Sequence, residues 1–388
     1  MDFNLSQTQL ALRESTRQLC QGFDSHYWRR IDEEKIFPEE FAKACVAAGL
    51  PGTMLPAELD GVGLGVTEAA IVLQEIAASN GGLDACSVVH MGMFGLNPIL
   101  VHGNEEQKRE YLPRAARGEL DSCFLVTEPD AGVDTTRITT TARREGDTYV
   151  VNGRKVWISR AAQAEYGLLL CRTEPYSAVK RKTDGMTLLF IPMRVPEVII
   201  TEIPKMGRNG VSSNEVVIDG LRVPVSCRIG EEGQGFRHLL DGINPERIMI
   251  AAEAVGLGLN VVLRAAAYAQ ERVVFGRPIG QNQGVQLPLA DAYSQLKLAE
   301  LATYEAAWRY DSGLDCGAQA NMAKLRATEA AHYAVNVAFE TFGGYGYAKE
   351  YDIERFYRQL PLTRVAPVTN NLTKAFIATQ VLGLPKSY

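Results

Sequence analysis

Phe124-Leu125-Val126-Thr127-Glu128-Pro129-Asp130-Ala131-Gly132-Val133-Asp134 and Asn152-Gly153-Arg154-Lys155-Val156-Trp157-Ile158-Ser159 decide how this chain is read. They open a region, from about Asp121 to Ile229, with the texture of short strands. Thr139 to Ala142, Tyr149 to Val151 and Lys155 to Ile158 alternate in character, with turns expected at Glu145-Gly146-Asp147 and at Asn152-Gly153. Leu168 to Cys171, Met186 to Ile191, Val198 to Thr201, Glu215 to Ile218 and Leu221 to Val223 add further strands. So many short strands with close turns predict an antiparallel barrel or sandwich. The two opening stretches read as a flat, polar-edged surface, with a Trp and hydroxyls arranged for a planar cofactor.

On both sides the text is helical. Leu5, Leu12 and Leu19 repeat along one face; Phe41, Cys45 and Leu50 follow before Pro51; Ala69 to Ala78 and Asn104 to Tyr111 continue, with Asn104 an expected N-cap. Gly61, Gly63 and Gly65 form a loop, but no strand precedes them and no phosphate-type helix start follows, which argues against a nucleotide loop. Past Gly233-Gln234-Gly235-Phe236 the chain is helical again. Asn244-Pro245 is expected to open one long helix, with Asn244 as its cap and Ile248, Ala251, Ala252, Val255, Leu259, Val262 and Leu263 as its apolar stripe. Two more long helices are predicted over Gln286 to Tyr310 and Gln319 to Phe342. The expected domains are helical over 1–118, β over 119–230 and a helical bundle over 231–388.

Composition excludes several classes. Lys plus Arg number 40 and Asp plus Glu 46, and a net charge of −6 without a basic tail argues against nucleic acid. No run approaches the ~18 apolar residues of a membrane span, and Met1-Asp2-Phe3-Asn4 does not read as a leader. The seven cysteines are scattered, with no Cys-x-x-Cys, as expected of reduced thiols and a cytoplasmic location. The five histidines have no metal-ligand spacing, so no metal is expected.

Three further blocks join the two opening stretches: Tyr268 to Ile279, Phe342-Gly343-Gly344-Tyr345-Gly346-Tyr347 and Glu354-Arg355-Phe356-Tyr357-Arg358. In this order and spacing the chain resembles the acyl-CoA dehydrogenase family over essentially its whole length. The resemblance implies an α+β architecture: an N-terminal helical domain, a central antiparallel β-barrel and a C-terminal four-helix bundle. It implies FAD, a homotetramer or homodimer, and α,β-dehydrogenation of an acyl-CoA thioester to the trans-2-enoyl-CoA. Flavin N5 then accepts the β-hydride, and electrons pass to an electron-transfer flavoprotein. By the same resemblance Phe124, Val126 and Thr127 lie at the flavin, Trp157 covers one of its faces and Ser159 hydrogen-bonds near N5. Arg272 and Phe275 reach the adenine and phosphate part across a subunit boundary, where an Arg fork suits pyrophosphate. Gln283, Gly344, Thr369 and Asn371 match further FAD positions. His90, Met91 and Phe94 line the acyl pocket, Val133 and Asn244 match CoA contacts, and Arg247 shapes the active-site mouth. Two positions depart from the pattern: Val133 replaces a serine, and Glu340 replaces a glutamine.

The reaction needs a carboxylate to take the proton α to the thioester carbonyl. The base position that many family members place near the C-terminus is Pro367 here, which cannot abstract a proton. The second family position, as in the isovaleryl-CoA and long-chain types, is a Glu immediately before an Arg; this chain has Glu246-Arg247. Glu246 is therefore the expected base, although on local sequence alone it also reads as a first-turn acid favoured by the helix dipole. Alternatives on the same scaffold are an acyl-ACP dehydrogenase, an oxidase, or a non-catalytic acyl-CoA- or flavin-binding protein.

Overall fold

The computed structural model describes residues 4–387; Met1, Asp2 and Phe3, on which the reading of an absent leader rests, lie outside them. Seven α-helices lead among the described residues: α1 (Gln7–Gln21), α2 (Ser25–Glu34), α3 (Glu39–Ala47), α4 (Val66–Ala77), α5 (Gly82–Phe94), α6 (Asn97–His102) and α7 (Glu105–Ala116). The sheet follows: β1 (Ser122–Leu125), β2 (Thr141–Glu145), β3 (Thr148–Ser159), β4 (Tyr166–Arg172), β5 (Met186–Pro192), β6 (Val198–Glu202), β7 (Ser213–Pro224) and β8 (Arg228–Ile229). Then come α8 (Gly235–Leu240), α9 (Ile243–Glu271), a hairpin of β9 (Val273–Val274) and β10 (Arg277–Pro278), α10 (Gln283–Asp311) and α11 (Gly317–Phe342). Short helices α12 (Gly344–Tyr347), α13 (Ile353–Gln359) and α14 (Asn370–Phe376) close the order. Asn104 does cap α7, in a reciprocal capping box with Gln107.

The strands pair in the order β6-β7-β3-β2-β4-β5-β8, with β1 alongside β4. Two expectations are corrected here. No pairing joins β6 to β8 among the described residues, so the sheet is open rather than a closed barrel. Nor is it wholly antiparallel, because β1 runs parallel to β4 over Ser122–Leu125. The continuous apolar runs of β4 and β5 follow from burial on both faces. Leu168, Leu170, Leu188 and Phe190 join a core shared with Ile99 and Leu112 of α6 and α7. Leu169, Cys171, Leu189 and Ile191 face the opposite way, into the sheet's own core with Tyr149 and Val216. Side chains alternate across a strand, so only a run without polar positions can fill two cores.

Asn152-Gly153 is not a hairpin turn but part of β3. Val151 pairs with Leu221 and Gly153 with Ile218, so Asp219 and Gly220 bulge opposite Asn152, whose Oδ1 accepts from Gly220 N at 2.9 Å. A Cβ on Gly153 would lie 2.3 Å from Thr140 Oγ1; the glycine serves close packing rather than reversal.

The helical core centres on α9, which packs against α4, α10 and α11. Its apolar residues surround the axis instead of forming one stripe, because it is buried on nearly every side. At Gly256 a Cβ would sit 2.2 Å from the Gln74 carbonyl, so this glycine lets α4 approach. Two segments, Gly82–His102 and Gly235–Glu271, are apolar and long enough to cross a membrane, but they are mostly buried inside the protein. Two further expectations change. The C-terminal region holds three long helices, α9, α10 and α11, plus shorter ones, and α4 of the N-terminal region packs on α9 and α10. Asn244 is not an N-cap; α9 starts at Ile243 with Gly242 as its cap, because α8 leads directly into it.

Candidate active site

The two opening stretches come together at the junction of β1 and β3. Val156 N donates to the Thr127 carbonyl at 2.9 Å. Lys155, wholly buried, donates through Nζ to the Val126 carbonyl at 2.9 Å and to Glu128 Oε1 at 2.9 Å. Glu128 also accepts from Thr139 N at 2.6 Å, Thr139 Oγ1 at 2.8 Å and Thr140 N at 3.0 Å. Burial alone would raise this carboxyl, but Lys155 and the donors of Thr140 and Thr139 outweigh it and hold it down at about 2. Neither Lys155 nor Glu128 was marked as functional from sequence. Their presence in both diagnostic stretches is the signal that could have found them.

This clamp presents Trp157. Lys155 pairs with Val216 and Ile158 with Asn214, so Val156 and Trp157 bulge opposite Glu215. Trp157 takes φ +63° and is 59% exposed, although its flanking residue Ile158 is buried. A bulky residue in the left-handed region is strained, and such strain clusters where a side chain must be aimed. Ser159 is exposed beside it, paired in register with Ser213. Arg160, another residue sequence reading missed, is buried and donates to the Val88 carbonyl at 2.6 Å and to Asp121, tying β3 to α5.

From the platform, aromatic contacts lead into the helical core. Phe124 lies 5.9 Å from Phe94, and Phe94 4.9 Å from His90, both edge-on. His90 Nδ1 is 2.7 Å from Glu253 Oε1, and both residues are buried. Met91 packs partly buried on the same helix. Glu246 stands two turns before Glu253 on α9. It is half-buried. Burial pushes its carboxyl up to about 7, against the pull of His90 and Arg247 and with a further push from Glu253. A carboxylate with that proton affinity can accept a proton near neutrality. Arg247 donates through Nη1 to Asn244 Oδ1 at 2.9 Å; burial lowers its proton affinity, with Glu246 opposing.

The remaining candidates divide between two clefts. Val133, Thr369 and Asn371 line one of ≈ 730 Å³, together with His332 and Arg364. Thr369 caps α14 there, accepting from Leu372 N at 3.2 Å. Buried beside it, Lys324 donates to the Val368 carbonyl and to Asn370 Oδ1, each at 2.7 Å; burial and the charges of Arg247 and Arg364 bring it down to about 8. Arg272 and Gly344 line the other cleft, ≈ 500 Å³, where Arg272 lies 6.0 Å from the Tyr345 ring. Phe275 is fully exposed at the tip of the β9–β10 turn with φ +52°, and Gln283 is exposed at the start of α10. The Glu354–Arg358 block, by contrast, holds the fold together. Arg355 is buried against Asp352 and the Asn80 carbonyl, and Arg358 bridges Asp32 and Glu354.

Family comparison agrees with this geometry. Residues 6–119 match the acyl-CoA dehydrogenase N-terminal domain, 123–221 the middle domain and 233–382 the C-terminal domain. The chain belongs to the acyl-CoA dehydrogenase family of oxidoreductases. It is 36% identical over 385 residues to acyl-CoA dehydrogenase FadE12 of Mycobacterium tuberculosis, covering 99% of this chain and 98% of the relative. Among solved structures it is similar to glutaryl-coenzyme A dehydrogenase in complex with glutaryl-CoA, with 33% identity, a TM-score of 0.94 and coverage of 100% and 98%. It is also similar to PigA with FAD and proline, with 29% identity, a TM-score of 0.92 and coverage of 99% and 100%.

Proposed function

We propose that the protein binds FAD and dehydrogenates an acyl-CoA thioester between Cα and Cβ, with Glu246 as the base. The observation that carries this reading is the Glu246 carboxyl, half-buried on α9, raised to about 7 and in the field of His90. The chain's residues suit the cofactor. A strained, exposed Trp157 beside Thr127 and Ser159 offers an aromatic face with a polar edge. Arg364 lines the larger cleft, Lys324 is held beside it by Asn370, and the buried His332 Nε2 has no partner in the protein. The second cleft supplies Arg272 next to Gly344, where Cβ positions face open space. Bound FAD supplies a two-electron acceptor for the hydride leaving Cβ. Glu246 takes the proton leaving Cα, so the C–H electron pairs resolve into the new double bond and the hydride. Trp157 and Phe124 exclude water on the platform side, and the Lys155–Glu128 clamp holds the Val126 and Thr127 backbone in place.

The assembly is a homotetramer or homodimer in this reading. Leu287, Leu298, Leu301 and Trp308 present one exposed apolar face of α10, and Phe275 stands uncovered at a strained turn. Arg272 and Phe275 then serve the cofactor of a neighbouring copy. The electron acceptor is an electron-transfer flavoprotein, and the scattered free thiols suit a cytoplasmic setting. Anaerobic titration of the flavoprotein with short, long and branched acyl-CoAs tests the activity. At least one is expected to bleach the flavin absorbance, with colour restored by an electron-transfer flavoprotein faster than by air. A flavin that no acyl-CoA bleaches would leave a binding protein instead.

A further inference from the structure

Lys324, on α11, is a wholly buried cation without an anion. Its Nζ donates to the Val368 carbonyl and to Asn370 Oδ1, each at 2.7 Å. Both acceptors are neutral, and an ammonium carries three donors. Among the described residues no carboxylate pairs with it, and the charges that act on it are those of Arg247 and Arg364, both cations. Lys155, also wholly buried, shows the ordinary arrangement, with Nζ 2.9 Å from Glu128 Oε1. A charge withdrawn from water is costly unless it is paired, so Lys324 lacks what Lys155 has.

The space open to an anion is the larger cleft. Thr369, Asn370 and Asn371 line it, so the segment that Lys324 grips is one of its walls. Arg364 and His332 line it as well. Arg364 is exposed and has no ion pair among the described residues, and the buried His332 Nε2 has no partner in the protein. Among the described residues no Asp or Glu lines the cleft. The whole chain carries a net charge of −6, so cations without an acid are a property of this cleft and not of the surface at large.

Resting on the reading of the protein as an FAD-dependent acyl-CoA dehydrogenase, we infer that the larger cleft is a diphosphate site, with Arg364 meeting the phosphate oxygens and Lys324 acting through the segment it holds. FAD and CoA both carry a diphosphate. A guanidinium fork matches phosphate oxygens with two parallel hydrogen bonds. The ammonium behind the wall adds charge without adding a contact, and burial protects that charge from screening by salt. Lys324 is thus a positioning residue, which fixes the Thr369–Asn371 segment and gives the site its sign.

Binding to the full chain, compared with and without the diphosphate, tests the assignment. FAD is set against riboflavin by flavin fluorescence. Acyl-CoA is set against the same acyl group on pantetheine by the half-saturating concentration for flavin bleaching. Arg364→Gln is expected to weaken one diphosphate ligand on the order of 10- to 100-fold and to leave its truncated form unchanged. A loss for FAD assigns the cleft to the cofactor, and a loss for acyl-CoA assigns it to the substrate. The salt dependence of that affinity should also become shallower. Lys324→Gln keeps a donor but removes the charge, and should weaken the same ligand selectively by a smaller factor. If Lys324→Gln does not fold, Arg364→Gln, at an exposed position, decides alone. The diphosphate site is overturned if Arg364→Gln moves neither ligand, or weakens each ligand and its truncated form equally. Equal weakening by Lys324→Gln makes the lysine purely structural. A parent protein that binds neither FAD nor acyl-CoA overturns the functional reading itself.

Discussion

Glu128 and Glu246 are carboxylates withdrawn from water only a few strands and helices apart, yet their proton affinities are pushed in opposite directions. Glu128 accepts from Lys155, from two backbone N–H groups and from a hydroxyl, and is held at about 2. Glu246 has charges nearby but burial dominates, and it rises to about 7. Saturating a buried carboxylate with donors makes a permanent anion that can anchor backbone; depriving it makes a group that exchanges protons. The platform region uses the first device to hold a strained Trp157 in place, and the start of α9 uses the second.

The comparison breaks most sharply at Glu246. Glu246→Gln is expected to retain FAD and lose turnover by the ~10²–10⁴ typical of general-base removal, measured by stopped-flow flavin reduction. Near-normal reduction would show that the raised carboxyl is incidental. Next in size is Lys155→Met, which leaves Glu128 buried without its cation. Unfolding in urea should show a loss of about 3–5 kcal/mol at unchanged slope, and a loss under 1 kcal/mol would mean that the backbone donors suffice.

The pH dependence of stability sharpens the contrast, because the two carboxylates have opposite signs. Glu128 has a folded value below its ordinary 4.5, so its contribution is present above 4.5 and is lost as pH falls toward about 2. Glu246 has a folded value above 4.5, so the native state keeps a proton that the unfolded chain has released, and stability falls as pH rises from 4.5 to about 7. Thermal melts across that window should flatten in Glu246→Gln; a slope unchanged from that of the parent protein would contradict the assignment. The smallest expected effect is Thr139→Val. It removes one hydroxyl from Glu128 while both backbone donors remain, and should cost about 1 kcal/mol. A loss as large as that of Lys155→Met would mean that the hydroxyl, not the ammonium, governs the clamp.

Much of this was legible in the chain. The helix–sheet–helix order followed from patterning, and the long helices over α10 and α11 were expected nearly at their observed ends. Asn152-Gly153 was misread because the pair is a strong local turn signal, whereas the extended pairing with β7 and the contact with Thr140 keep it inside β3. Asn244 looked like a cap because its predecessor α8 could not be seen to run into α9. Val133, Thr369 and Asn371 do line one cleft, but Arg272 and Gly344 line another, a separation that residue order alone does not contain.

Amino-acid order by itself determined the family and the helix–sheet–helix order, because motifs and periodicity are local and additive along the chain, and it singled out Glu246 as the candidate base where Pro367 occupies the alternative position. Tertiary structure alone decided the electrostatic character of each carboxylate. Glu128 meets Lys155 from a strand 27 residues on, and Glu253 meets His90 from a helix more than 150 residues earlier, whose charge also acts on Glu246. Proton affinity depends on burial and on charges brought near through space, and neither is encoded in the neighbours along the sequence.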